Sequence, residues 1–215
     1  MYTRVVDASF PSSLALAVQV LRNGGVVAFP TDTVYGIGAL VSLPEAVKRI
    51  FVAKGRPTEK AIPVLLADFH QLALVAADIP DLALRLADAF WPGGLTMVLP
   101  RAPSVSPVVT AGGSTIAVRI PNHPVALELI RRAGAPLATT SANRSGFPSP
   151  KTASEVVQQL AGWIEVILDG GPVPGGVEST VLDLTGPQPV VLRKGAVPID
   201  ALEKVIGPTL LPSSP

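Results

Sequence analysis

The sequence predicts an α/β (α+β) domain built on one mixed, twisted sheet with helices on its faces. Three observations carry that expectation. Helix signals alternate with short apolar runs through the first half of the chain, and in the second half such runs follow one another across turns. The 215 residues also include 19 Gly and 23 Pro, about a fifth of the chain, which calls for many tight turns and shows no repeat. Alternation with helices gives strands buried on both faces, whereas strands joined by turns pair antiparallel, so the sheet should be mixed.

The elements follow in order. Ser12 and Ser13 are placed to cap a helix over Leu14–Arg22, which Asn23-Gly24 stops. Val26–Phe29 reads as a short buried strand ended by Pro30. Ser42-Leu43-Pro44-Glu45 is a capping box that opens a helix to about Ala53, and Ile62–Leu66 is a second buried strand. Asp68 and Asp78 read as caps of helices near 69–76 and 80–89. Thr96–Pro100, Thr115–Ile120 and Leu137–Thr140 are strand-like, with a helix after Pro124 between the last two. Thr152-Ala153-Ser154-Glu155 opens a helix to about Leu160. Ile164–Leu168, Thr180–Leu184 and Val190–Arg193 are the closing strands, and Pro198–Ile206 is the last helix. No linker or charge run marks an internal boundary, so one domain is expected over 1–207, with 208–215 as a tail.

Composition narrows the function. With 48% apolar and 15% charged residues the chain can bury a core. A formal net charge of +1 argues against a protein built wholly around a nucleic-acid backbone. The absence of cysteine removes disulfides, thiolate zinc sites and a thiol nucleophile, and makes a cytoplasmic location the default. His70 and His123 are the two imidazoles, too few for a multi-histidine metal site. Neither a signal-peptide pattern nor an apolar stretch of about 18 residues is present. Walker-type, dinucleotide-binding and nucleophile-elbow motifs are missing as well.

Several segments have the chemistry of a binding site. Pro30-Thr31-Asp32-Thr33-Val34-Tyr35-Gly36 puts two hydroxyls, a carboxylate and a phenol at the end of a strand, as either a self-satisfied turn or a ligand contact. Lys54-Gly55-Arg56-Pro57-Thr58-Glu59-Lys60 follows a helix end. Its cations either complement the helix dipole or clamp a polyphosphate, Arg as a fork and Lys as a point charge. Thr139-Thr140-Ser141-Ala142-Asn143-Arg144 is either a polar loop or a set of neutral donors for phosphate and ribose. Arg119 lies inside an apolar strand and needs an anion, from a salt bridge or from a bound carboxylate. Arg193 poses the same question, and Ser179 follows the Gly175-Gly176 turn either as part of a hairpin or facing a ligand.

Taken in order, these segments resemble the YrdC family, the threonylcarbamoyl-AMP synthases of tRNA modification. The resemblance runs from about Gly24 to Gly195. It rests on Pro30–Gly36 as P-T-D-T-x-Y-G, Lys54–Pro57 as K-x-R-P, and Phe90–Thr96 as F-W-P-G-x-L-T. The S-x-N of Ser141 and Asn143, Glu178-Ser179-Thr180-Val181 and Leu192-Arg193-Lys194-Gly195 complete the set. It implies a YrdC-like sheet with a concave ligand-binding face, and a nucleotidyltransferase that converts L-threonine, bicarbonate and ATP to threonylcarbamoyl-adenylate and pyrophosphate. Mg²⁺ would arrive with the ATP, the protein providing no metal site of its own. The product would pass to a threonylcarbamoyl transferase complex acting on tRNA, with tRNA itself a candidate partner and no membrane involved.

By matching position, the resemblance assigns Thr33, Arg119, Thr139 and Ser179 to threonine. It assigns Lys54, Arg56, Lys60, Thr115, Ser141, Asn143, Ser149 and Arg193 to ATP, with Lys54 and Arg56 carrying the catalytic charge stabilisation. Two departures stand out. Longer members carry a further C-terminal domain, whereas this chain is expected to be the short form. Some members have a histidine after K-x-R-P, where Leu65 stands here. The alternatives are a relative that makes carbamoyl-adenylate from carbamoyl phosphate, and a non-catalytic module that binds double-stranded RNA or tRNA.

Overall fold

The computed structural model describes residues 2–173 and 177–207. The elements among them are β1 (Arg4–Asp7), α1 (Pro11–Arg22), β2 (Val27–Phe29), β3 (Gly36–Leu40), α2 (Pro44–Lys54), β4 (Val64–Leu65) and a 3-10 turn (Phe69–Leu74). There follow α3 (Asp81–Phe90), β5 (Leu95–Pro100), β6 (Thr115–Arg119), α4 (Pro124–Ala133) and β7 (Leu137–Ser141). The last are α5 (Ala153–Leu160), β8 (Val166–Asp169), β9 (Thr180–Asp183), β10 (Val190–Arg193) and α6 (Ile199–Ile206). All the strands join one ten-stranded mixed sheet in the order β1-β8-β2-β3-β7-β4-β6-β5-β9-β10. The pairs β1–β8, β8–β2, β4–β6 and β5–β9 are parallel and the others antiparallel.

Side-chain alternation along the strands divides the core into two layers. One layer gathers Ala28, Ile37, Ala138, Met97, Val118 and Leu182 from the sheet and packs them under α2, α3, α5 and α6. The opposite face gathers Val27, Phe29, Leu40, Leu65, Leu137 and Leu168 under α1 and α4, whose Leu14, Leu21, Leu129 and Ile130 point inward. That second layer stops short. Over β5, β6 and β9 the same face presents Ala117, Val181 and Asp183, which are half-buried and belong to neither layer. The fold therefore leaves one face of the sheet open beside the end of the α1–α4 cover.

The expected α/β class and mixed sheet are what the structure has, with differences at particular elements. β1 was not expected; its R-V-V-D sequence has no apolar run, because an edge strand buries little. β3 has no counterpart among the expected elements either. Its G-I-G-A-L sequence is fully buried because Gly36 and Gly38 let Thr139 of β7 approach: a Cβ on Gly38 would lie 2.9 Å from Thr139 Oγ1 and 3.0 Å from Phe29 Cε1.

Three helix caps also differ. Phe10, not Ser12 or Ser13, precedes α1, and Leu43, not Ser42, precedes α2, since Pro at the first helical turn fixes the start. Asp78 adopts φ 44° in a turn, and α3 begins after Pro80. Asp68 does cap its 3-10 turn by accepting from Gln71 N, and Thr152 caps α5 by accepting from Glu155 N. The expected Gly175-Gly176 turn and the tail at 208–215 lie outside the described residues.

Candidate active site

A cavity of about 100 Å³ opens where the α1–α4 cover ends, lined in part by Thr33, Leu65, Thr96, Arg119, Thr139 and Ser179. Against the roughly 300–1,000 Å³ of drug-sized pockets, this is room for an amino-acid-scale guest and not for a whole nucleotide. Strand geometry explains the convergence. Arg119 ends β6, Thr96 lies on β5, Thr139 on β7 and Ser179 just ahead of β9, each at the pleat position that faces away from the α2–α3 layer.

Arg119 is held from three sides. Its Nε donates to Gly93 O at 2.8 Å, Nη1 to Thr33 Oγ1 at 3.0 Å and Nη2 to Asp32 Oδ1 at 2.5 Å. The Arg119 and Asp32 side chains are 7% and 17% exposed, so this is a buried ion pair. Burial pushes the guanidinium pKa down and Asp32 works against that, so the charge is retained with its partner. Three of the five guanidinium N–H groups are used, which among the described residues leaves two to grip a carboxylate. The salt-bridge reading of Arg119 is what the structure has, and two N–H groups remain beyond it.

The hydroxyls around it are ordered by the turn that P-T-D-T builds. Thr31 Oγ1 donates to Val34 O at 2.6 Å and accepts from the backbone N–H groups of Thr33 and Val34. With its own proton spent, Thr31 is the acceptor in its 3.1 Å contact with Thr33 Oγ1. On the opposite wall, Thr96 Oγ1 and Ser179 Oγ lie 2.7 Å apart, and Arg193 Nη2 donates to Ser179 Oγ at 3.1 Å. Leu65 forms apolar wall at the position where some relatives were expected to have histidine.

A second, cationic region adjoins this cavity. Lys54 ends α2 and is 2% exposed. Its ammonium donates to Ser141 O, to Asn143 O at 2.6 Å and to Asn143 Oδ1 at 3.2 Å, so it ties the α2 end to the end of β7. Burial first, and Arg56 second, push its pKa down to about 7, against the pull of Glu178. Gly55 takes φ 57° as the left-handed cap that turns the chain from Lys54 into the Arg56 loop. Arg56 Nε and Nη2 bond to Lys60 O and Ala61 O, which folds the loop on itself, while the Lys60 side chain is exposed.

The remaining nominated residues fall around this region. Asn143 Nδ2 donates to Arg144 O and to Phe147 O at 2.7 Å, so its amide shapes its own loop. Arg193 donates through Nε to Ser179 O and through Nη1 to the Glu178 carboxylate, which also accepts from Ser149 Oγ at 3.3 Å. Ser141 and Arg193 reach the cavity wall. Thr115 does not; it stands on the same face of β6 two pleats before Arg119.

Polar groups of the site without a role in the expectations from sequence include Asp32, Thr96 and Glu178, with Thr31 and Thr140 beside them. Asp32 was findable, since a strand-buried Arg119 demands an acid and the P-T-D-T segment contained one without a role. Thr96 meets Ser179 through the β5–β9 pairing, and Glu178 meets Arg193 and Ser149 through loop closure, neither of which a local pattern shows. Among the described residues no group of three or more His, Cys, Asp or Glu side chains is placed to hold a metal.

The Sua5/YciO/YrdC family model, described as "Telomere recombination", matches residues 19–195. The chain belongs to the Sua5/YciO/YrdC family. Curated family members named threonylcarbamoyl-AMP synthase, from Pyrococcus abyssi and Bacillus subtilis, are each 50% identical over 90% and 91% of this chain. The chain spans 57% of the length of each of those two relatives. A putative threonylcarbamoyl-AMP synthase from Mycobacterium tuberculosis is 41% identical over 95% of this chain and 96% of its own length. Among solved structures, P. abyssi Sua5 in complex with L-threonine superposes with TM-score 0.91 and 49% identity, over 92% of this chain and 58% of that one. Escherichia coli YciO gives TM-score 0.82 at 27% identity, over 94% of this chain and 98% of its own. The family's Sua5 and YciO structures share the mixed sheet described above.

Proposed function

We propose that this chain is a threonylcarbamoyl-AMP synthase, joining L-threonine, bicarbonate and ATP into threonylcarbamoyl-adenylate with release of pyrophosphate. The observation that carries the reading is the adjacency of two unlike sites on one open face. The small cavity offers the Arg119 fork and the Thr33, Thr139 and Ser179 hydroxyls to an amino acid, and Lys54, Arg56 and Arg193 stand beside it for a triphosphate. The names of the relatives, and the threonine complex of the P. abyssi protein, support the same assignment.

In this reading the two free Arg119 donors take the threonine carboxylate, and Ser179 and Thr33 direct the rest of the molecule. The threonine amine condenses with bicarbonate to a carbamate with loss of water, the carbamate oxygen attacks the α-phosphorus, the bond from that phosphorus to the bridging oxygen of the β-phosphate breaks, and pyrophosphate leaves. No covalent enzyme intermediate is needed. The task of the protein is to hold two anions together and to stabilise charge on phosphate oxygens. Lys54 and Arg56 are the groups for that, with Arg193, Ser141, Asn143, Ser149, Lys60 and Thr115 along the nucleotide. Mg²⁺ enters bound to the ATP. The product is a reactive mixed anhydride, which a threonylcarbamoyl transferase acting on tRNA would consume in the cytoplasm.

Incubation with ¹³C-bicarbonate, threonine and Mg-ATP tests the assignment. The expected product is an adenylate whose mass contains AMP, threonine and one labelled carbonyl carbon. Free AMP or ADP without that product would contradict it.

A further inference from the structure

The Glu178 carboxylate lies beside Arg193 and Ser149 of the nucleotide region, close enough for its charge to act on Lys54 and Arg56. One of its oxygens pairs with Arg193 Nη1, and the other accepts from Ser149 Oγ at 3.3 Å. Its charge also reaches Lys54 and Arg56, in both cases favouring the protonated cation against the effect of burial. Two groups of the proposed ATP site, Ser149 and Arg193, therefore contact this single carboxylate, and two more, Lys54 and Arg56, feel its charge. Two oxygens set against a guanidinium and a hydroxyl reproduce one edge of a phosphate.

The energetics distinguish this pair from the other ion pair at the site. Asp32 and Arg119 are 17% and 7% exposed, and separating them would strand a buried charge. Glu178 and Arg193 are 42% and 45% exposed, and a half-exposed pair is worth little and is given up cheaply. Arg193 also has a second anchor: its Nε and Nη2 stay on Ser179 O and Oγ at 3.1 Å each. Release of Glu178 thus frees one end of the Arg193 fork without loosening the other.

We propose that Glu178 is a phosphate place-holder, a carboxylate that engages Arg193 and Ser149 and yields both to an incoming triphosphate. It competes with the polyphosphate for the same donors. The inference rests on the nucleotide reading above and adds to it a residue that opposes binding. Such a competitor also screens out weakly bound anions, since only a ligand that contacts several of the cations at once recovers the lost pair.

The test is calorimetric titration of the full chain with sodium tripolyphosphate and with metal-free ATP. Glu178→Gln is expected to bind both probes about two- to fivefold more tightly than wild type, the factor that corresponds to a half-exposed ion pair. Glu178→Ala should show the same tightening, and Glu178→Asp, which retains the charge, should not. A brace that merely held the loop together would weaken binding on removal, and relief of simple charge repulsion would tighten it with or without Arg193; competition therefore predicts that the tightening by Glu178→Gln vanishes in an Arg193→Gln background, and its persistence there overturns the proposal. Unchanged or weaker binding in both neutral variants, with folding verified by thermal melts, overturns the proposal and leaves the nucleotide site standing. Wild-type protein that binds neither probe overturns both.

Discussion

Arg119 and Lys54 are buried cations with different consequences. Arg119 has a buried partner, so Asp32→Ala leaves an uncompensated charge and should cost about 3–5 kcal/mol of stability, read from denaturant melts. Arg119→Lys keeps a cation beside Asp32 but loses the fork. It should therefore fold, raise the threonine KM by about tenfold, and leave the ATP KM within about a factor of two, reflecting the loss of one charge-assisted hydrogen bond. A change in the ATP KM instead would contradict the assignment of Arg119 to threonine.

Lys54 has carbonyl acceptors and a pKa pushed down to about 7 by burial. A polyphosphate favours the ammonium, so ATP binding near pH 8 should take up as much as one proton, and binding near pH 6, where the ammonium is already formed, should take up none. Calorimetry in buffers of different ionisation enthalpy measures this directly. Folding has the opposite sign, because it lowers the Lys54 pKa and so releases the proton that ATP binding takes up. The unfolded chain binds the Lys54 proton up to its ordinary 10.5, so between about 7 and 10.5 this residue makes stability rise with pH. Loss of either Lys54 or Arg56 to Ala should reduce turnover by roughly 10²–10³, the usual effect of removing one charge-stabilising donor.

At the scale of elements, the β9–β10 hairpin joins the two halves of the site. A Cβ on Gly195 would lie 2.3 Å from Glu178 O and 2.5 Å from Ser179 C, so the glycine after Arg193 lets this segment close on the Glu178–Ser179 backbone. Gly195→Ala should displace both residues together, weakening threonine and triphosphate binding alike, with a lower melting temperature; an effect on one ligand alone would contradict the coupling. The elements differ in how far their sequence speaks for them. The apolar run Val27–Phe29 is legible because burial on both faces demands it. β1 is not legible, because an edge strand needs little apolar surface, and β3 is not, because its glycines serve the neighbouring Thr139 instead of its own propensity. Helix starts at Pro11 and Pro44 overrode the nearby serines, since a fixed φ sets the first turn more firmly than a hydroxyl caps it.

At the scale of the whole molecule, the site is assembled from segments more than a hundred residues apart in the sequence, and the sheet order does the assembling. The motifs around Thr33, Lys54, Arg119, Thr139, Ser141, Ser179 and Arg193 were readable as chemistry, and their convergence on one open face follows from β3, β7, β4, β6, β5 and β9 lying side by side. What could not be read from sequence is how other residues engage one another: Thr96 with Ser179, and Glu178 with Arg193 and Ser149. Each of these contacts depends on strand register or loop closure, and no periodicity encodes either. The adjacency of the amino-acid cavity and the triphosphate cations is the central claim. Pyrophosphate release from Mg-ATP, measured with threonine and bicarbonate present together and each omitted in turn, tests it most directly. Release that requires both is the expected result; release indifferent to threonine, or none from folded protein, would contradict it.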